Sequence, residues 1–265
     1  MDENITLENL AKSAHAVYID LSVYEKESSQ FHHQKIQKDL GFVNNMSRTR
    51  EAGIHGLFMR QEDYAAGLLE LLKSYQNIYS TPYIFAEHKK FIQIVRRKVQ
   101  SWRENNRSRK DILSCIERIL ATHKEIVEIL EPRVQQSTED KCSLTYQLVR
   151  GSYHKPRVGY FKKKDLIEET SQADAELVSF AVDEAMITLG PIAIVTSDFD
   201  IPNMLYNLVL ASNGELGRET EVSVYFPDFN FWPENFDLEF MVDSKGRISK
   251  KRRRMVEGSF KLNRL

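Results

Sequence analysis

The sequence predicts an α/β fold with a mostly parallel central sheet and helices on both faces. Three observations predict it. Ala16-Val17-Tyr18-Ile19-Asp20-Leu21 is a continuous, β-rich apolar run ending at an acid, the pattern of a strand buried on both faces. Strand-like and helix-like segments then alternate along the chain, as in crossover-linked parallel strands. Finally, Asp20 and Asp198 stand just past strand ends, where open α/β sheets build their sites.

The elements follow in order. Tyr64 to Tyr75 carries Leu68, Leu69, Leu71, Leu72 and Tyr75 at helical spacing, and Asn77-Ile78-Tyr79-Ser80 reads as a short strand. Thr81-Pro82 is a helix start. Thr81 is able to cap, and Pro82 suits the first helical position because no N–H is needed there. The helix it opens has an apolar stripe of Ile84, His88, Phe91, Val95, Val99 and Trp102, broken at Asn105-Asn106-Arg107. Ser108-Arg109-Lys110-Asp111 reads as a capping box for a helix with Ile112, Ile116, Ile119, Ile126 and Leu130 on one side, ended by Pro132. Residues 133–164 are irregular, as in an insertion or a long functional loop. A helix from near Ser171, a strand Ile192–Thr196, a helix from about Pro202 to Ala211 and a strand Val222–Phe226 continue the alternation. After Pro227 the rhythm changes: Phe236, Leu238, Phe240 and Val242 alternate before the turn Asp243-Ser244-Lys245-Gly246, so a terminal hairpin or tail is expected.

Composition narrows the class. With 265 residues and 42% hydrophobic content, the chain has material for one elaborated domain with a full core. A net charge of −1 gives no global attraction for nucleic acid, so any such binding needs local patches. Cys115 and Cys142 form no C-x-x-C pair, which argues against a zinc site or a disulfide scaffold and fits a reducing cytoplasm. Met1-Asp2-Glu3-Asn4 lacks the features of a signal peptide, and no apolar run approaches the ~20 residues of a membrane helix. A cytoplasmic protein with no membrane partner is the expectation.

The acids carry the chemistry. Glu87 lies in the second turn of the helix after Ser80, and Asp174 in the first turn of the helix before strand Ile192–Thr196. If the strands are neighbours, Asp20, Glu87, Asp174 and Asp198 converge on one edge. Clustered carboxylates repel one another, and a hard divalent cation such as Mg²⁺ or Mn²⁺ relieves that repulsion. Such a centre hydrolyses phosphodiesters without a serine, cysteine or histidine nucleophile. Structural readings stand beside this one. Asp174 completes the box Ser171-Gln172-Ala173-Asp174, Asp200 completes Ser197-Asp198-Phe199-Asp200, and Glu87 reads equally as a solvated helix acid. Asp20 is hardest to dismiss, because an acid just inside an apolar strand is costly if unpaired.

Taken together, four segments resemble the PIN family of metal-dependent nucleases. They are Val17-Tyr18-Ile19-Asp20-Leu21-Ser22, Ile78 to Glu87, Ala173 to Ala181, and Ile194-Val195-Thr196-Ser197-Asp198-Phe199-Asp200. The Thr-x-Asp of the last is the most specific, and the resemblance spans about residues 16–211. It implies a three-layer α/β/α fold, here elaborated by helical and C-terminal additions, Mg²⁺ or Mn²⁺ as cofactor, and cleavage of RNA, usually single-stranded. It also implies Asp20, Glu87, Asp174 and Asp198 as catalytic metal ligands or holders of metal-bound water, with Asp200 assisting. Residues 1–226 would form the PIN-like domain, with the insertion at about 133–164, and 227–265 a C-terminal hairpin or basic tail. The length, well beyond that of compact toxin-type relatives, argues against a toxin role.

Basic segments supply candidate phosphate contacts. Lys89 to Lys110 is rich in lysine and arginine, equally the pattern of a solvated helix face. Lys162, Lys163 and Lys164 lie near Tyr153, Tyr160 and Phe161, a mixture suited to single-stranded bases. Lys250, Lys251, Arg252, Arg253 and Arg254 form the densest run, able to grip nucleic acid or an acidic partner. His32-His33 lacks metal-ligand spacing and reads as surface, and His88 as core. The sequence thus points to a metal-dependent endoribonuclease. A non-catalytic RNA-binding scaffold and a phosphodiesterase acting on DNA flaps are the alternatives, with an oligomeric or regulatory protein partner left open.

Overall fold

The computed structural model describes residues 5–24, 48–105, 110–134, 144–152, 155–156, 167–168, 171–227, 236–251 and 253. Its centre is a six-stranded sheet. The strands are β1 (Ile5–Thr6), β2 (Ala16–Ile19), β3 (Ile78–Tyr79), β6 (Ile192–Val195), β7 (Val222–Pro227) and β8 (Asp237–Asp243), in the order β1-β8-β7-β6-β2-β3. A separate two-stranded ladder pairs β4 (Lys155–Pro156) with β5 (Ile167–Glu168). The helices are α1 (Leu7–Ser13), α2 (Leu21–Tyr24), α3 (Arg48–Ser74), α4 (Pro82–Asn105), α5 (Lys110–Leu130), α6 (Leu144–Ser152), α7 (Gln172–Thr188), α8 (Asp200–Ala211) and α9 (Leu216–Glu219).

The sheet is mixed. β3, β2, β6 and β7 run parallel to one another, whereas β8 is antiparallel to both β7 and β1. The reversal at β8 has a simple cause. The link from Pro227 to Asp237 is shorter than the roughly dozen residues a parallel crossover needs, so the chain returns as a hairpin. The alternation expected after Pro227 is therefore a strand within the main sheet, with a register shift between Val224 and Tyr225. Its far edge pairs with β1, a two-residue strand too short to show in the sequence pattern.

Period-2 alternation sends the strand residues to two cores. Ala16, Tyr18, Ile192, Ile194, Val222 and Val224 pack with Leu177, Val178, Met204 and Leu205 of α7 and α8. Val17, Ile19, Ala193 and Val195 point the other way, against Leu7 and Leu10 of α1, Leu68 and Leu72 of α3, and Ile126 and Leu130 of α5. A third cluster joins Ile92, Val95 and Val99 of α4 to Ile112, Ile116 and Ile119 of α5. Apolar helix stripes thus find partners on both sides of the sheet, which is why every residue of β2 and β6 is buried.

Three elements depart from the sequence reading. α3 begins at Arg48, well before the leucine-rich turn at its end, because its first half has too few aliphatic side chains to show a stripe. α6 occupies part of the irregular 133–164 stretch and buries Val149 against the α7–α8 core. Thr81 precedes α4 as expected, and its carbonyl accepts the Phe85 N–H at 2.9 Å, but its buried hydroxyl makes no hydrogen bond.

Candidate functional site

Parallel pairing fixes the site's floor. β2 and β6 are in register, with Ile19 beside Val195, so Asp20 and Thr196 leave the sheet at the same level. The Asp20 N–H still bonds the Val195 carbonyl at 3.0 Å, and the Thr196 N–H bonds that of Tyr225 at 3.0 Å. α7 precedes β6 and must run antiparallel to it, which brings its first turn and Asp174 to the same edge. α8 starts at Asp200, directly after the β6 loop.

Hydroxyls organise the two loops. Thr196 Oγ1 donates to Asp20 Oδ2 at 2.9 Å and accepts the Asp198 N–H at 2.9 Å. Asp198 Oδ1 accepts the Asp200 N–H at 2.9 Å, a tight turn that aims the chain into α8. Ser22 Oγ donates to Asp20 Oδ2 and accepts the Ser197 N–H at 2.9 Å, which ties the β2 loop to the β6 loop. The Ser22-x and Thr196-x-Asp198 pieces of the sequence are therefore one network.

Asp174, Asp198 and Asp200 each place a carboxylate oxygen within 4.8 Å of the other two. The expected serine boxes do not form, although Asp198 itself accepts the first N–H of α8. Ser171 makes no side-chain cap bond at the start of α7, and neither does Phe199 at the start of α8. Asp20 and Glu87 stand outside that close group. Asp20 is 6% exposed, and its Oδ2 is taken by the Ser22 and Thr196 hydroxyls. Burial pushes its carboxyl above the usual range, the hydroxyls oppose this, and the charge of Asp198 adds to the rise. Glu87 is an exposed residue, raised first by partial loss of water and second by the charge of Asp20, with Lys90 opposing. The five acids thus form a triad and a flank: Asp174, Asp198 and Asp200 in mutual reach, Asp20 coupled to Asp198, and Glu87 coupled to Asp20.

The triad offers only hard carboxylate oxygens, the donor chemistry Mg²⁺ and Mn²⁺ prefer. One acid escaped the sequence reading. Glu176, 7% exposed on α7, accepts the Tyr83 N–H at 2.8 Å. A carboxylate set among Ala173, Ala175, Leu177 and Val178 was its available signal, since a charge in an apolar helix face needs a partner.

Of the basic candidates, Lys250, Lys251 and Arg253 are exposed, with Lys251 Nζ 3.5 Å from Glu239 Oε1. Lys162, Lys163, Lys164, Arg252 and Arg254 lie outside the described residues, as do His32 and His33. His88 is buried and bonded to His123, Nε2 to Nδ1 at 3.0 Å, between α4 and α5. Among the described residues, no helix is long and apolar enough to cross a membrane.

No family model matches the chain, and it matches no curated protein and no solved structure.

Proposed function

We propose that the chain is a metal-dependent endoribonuclease that hydrolyses RNA phosphodiester bonds at the carboxylate edge of a three-layer, PIN-like fold. The observation carrying this reading is the convergence of Asp174, Asp198 and Asp200, from two different helices and a loop, beside a buried Asp20. Ser171 makes no cap bond that would account for Asp174, Asp198 also serves the turn into α8, and repulsion among carboxylates makes such a meeting costly without a cation.

Asp174, Asp198 and Asp200 would hold Mg²⁺ or Mn²⁺. When bound, such an ion polarises the phosphoryl oxygens and lowers the pKa of an attacking water. The chain's own groups do the rest. Thr196 and Ser22 donate hydrogen bonds to Asp20, opposing the rise its burial causes, and fix the loops that present Asp198 and Asp200. Glu87, exposed and raised, is the acid of the set best fitted to exchange a proton with solvent. Lys250, Lys251, Arg252, Arg253 and Arg254, with Lys162, Lys163 and Lys164, would contact the RNA backbone and position it without reading sequence.

The test is cleavage of a labelled single-stranded RNA with Mg²⁺ or Mn²⁺, and with excess EDTA. Cutting only with metal is expected. Equal cutting in chelator removes the cation from the reaction. Faster cutting of a DNA flap moves the substrate class to DNA, and binding without cutting assigns the chain to RNA-binding scaffolds.

A further inference from the structure

Helix α4 carries Glu87, and its first turn is capped in an unusual way. Pro82 brings no N–H, and the Phe85 N–H is bonded to the Thr81 carbonyl, so the Tyr83 N–H needs a partner from elsewhere. A local partner stood ready, because Thr81 places a hydroxyl just before the helix, the usual capping device. Yet Thr81 is fully buried and its Oγ1 makes no hydrogen bond. The Tyr83 N–H instead donates to Oε2 of Glu176, from helix α7, at 2.8 Å.

The difference matters mechanically. A threonine cap ties a helix end to its own preceding residue and fixes nothing else. A carboxylate reaching from another helix fixes one helix against the other. The bond sets a carboxyl oxygen at the positive end of the α4 dipole, an orientation that dipole favours. Its two ends sit at the site. Glu176 is two residues from Asp174 on α7, and Tyr83 is four residues from Glu87 on α4, one helical turn away.

We propose that Glu176 is a positioning residue of the carboxylate site, clamping the N-terminus of α4 to the start of α7 and so holding Glu87, which feels the charge of Asp20, at the edge that carries Asp174. The inference rests on the cation-dependent reading above. It adds a residue that touches neither cation nor substrate and acts through the Tyr83 N–H.

The test uses the full chain with Glu176→Ala, Glu176→Asp and Glu176→Gln. Aspartate keeps the charge but is one methylene too short to reach Tyr83, whereas glutamine keeps a side-chain oxygen at the same length. Hydrogen exchange of the Tyr83 amide reads the clamp, and kcat, KM and the Mn²⁺ concentration for half-maximal RNA cleavage read the site. In E176A and E176D the Tyr83 amide should lose protection, kcat should fall on the order of 10²-fold, and the Mn²⁺ requirement should rise, with KM for RNA little changed. E176Q should recover most of the protection and of kcat. If E176A fails to fold, E176D against E176Q makes the same comparison. Tyr83 protection equal in wild type and E176D overturns the clamp. Lost protection with wild-type kcat and Mn²⁺ dependence overturns the positioning role and leaves an ordinary cap. A wild type that shows no Mn²⁺-dependent cleavage, with the Tyr83 result unchanged, overturns the cation reading and with it this role in the reaction, while the clamp stands on the exchange data.

Discussion

Two aspartates close strands of the same sheet and are almost equally buried, yet the protein uses them in opposite ways. Asp243 ends β8 at 2% exposure, and Asp20 follows β2 at 6%. Asp243 is consumed by its own turn. Oδ1 accepts the N–H groups of Lys245 and Arg247 at 3.0 Å each, and Oδ2 accepts Arg247 Nε at 2.6 Å. Gly246 supplies the positive φ the turn needs, and Ser244 stitches it to Thr220 and Val222. Every partner but the last two lies within four residues. Asp20 finds its hydrogen-bond partners across the sheet edge, from the Thr196 hydroxyl as well as that of Ser22, and feels the charges of Asp198 and Glu87. Burial of an acid is therefore no mark of a site. What separates the two is whether neighbouring charges are neutralised locally or gathered against each other.

The largest expected effect tests that separation directly. Asp174→Asn, Asp198→Asn and Asp20→Asn should each lower kcat for RNA cleavage by about 10²-fold or more, the scale of removing one electrostatic element from a site. Asp243→Ala should leave kcat within experimental error. Circular dichroism must show all four variants folded at the assay temperature. Comparable losses at 243 and 198 would erase the distinction between turn acid and site acid.

A pH series sharpens the comparison only after another buried pair is separated out. Burial lowers the pKa of His88 and takes His123 from 6.5 to about 4. The unfolded chain binds that proton from about pH 6.5 downward, and the folded chain resists it until about pH 4. Stability is thus full above pH 6.5 and lost as pH falls through that window, by about 3 kcal/mol for His123 alone. Urea unfolding at pH 7.5 and 5 measures the part of the loss that falls above pH 5, about 2 kcal/mol for His123. His123→Phe, an apolar ring beside Phe91, should remove the His123 share of the slope and leave that of His88, and an unchanged slope would place the acid sensitivity elsewhere.

Smaller again is the cost of opening the β8 turn. Asp243→Ala leaves the Lys245 and Arg247 N–H groups without their acceptor and removes the guanidinium's partner, which should cost about 1–3 kcal/mol in urea unfolding. A neutral result would mean water replaces the carboxylate at no loss.

Much of this contrast was legible in the sequence, and its limits have physical causes. The Ala16–Ile19 and Ile192–Val195 strands announce themselves because burial on both faces demands unbroken apolar runs. α4 and α5 show through stripes that pack on one another, and Asp243-Ser244-Lys245-Gly246 through turn chemistry. Asp20 and Asp198 were visible because strand ends are. Three things were hidden. Which acids meet closely, Asp200 with Asp174 and Asp198, while Oδ2 of Asp20 is taken by the Ser22 and Thr196 hydroxyls, depends on side-chain placement that spacing does not carry. The antiparallel β8–β1 edge depends on a pairing between the chain's two ends. The Glu176 clamp depends on a contact 93 residues apart, in place of a threonine that looked sufficient locally.

The smallest expected effect carries the comparison back to Asp20, with activity set aside. Its folded-state pKa is raised, chiefly by burial and further by Asp198. An acid with a raised folded pKa favours the folded state while protonated, and that advantage disappears as pH rises from the unfolded value through the folded one. In EDTA Asp20 therefore favours the fold less as pH rises than an uncharged side chain of its size would. Asp20→Asn keeps the size and an oxygen acceptor for the Ser22 and Thr196 hydroxyls while removing the charge. Its melting temperature in EDTA at pH 7.5 should rise slightly above wild type, and the difference should shrink as pH falls, since wild-type Asp20 then protonates. The histidine loss is common to both proteins and cancels in that difference. Adding Mn²⁺ should raise the wild type more than D20N, because part of what the cation relieves has already gone. A D20N protein less stable than wild type at every pH would make Asp20 a structural acid of the Asp243 kind.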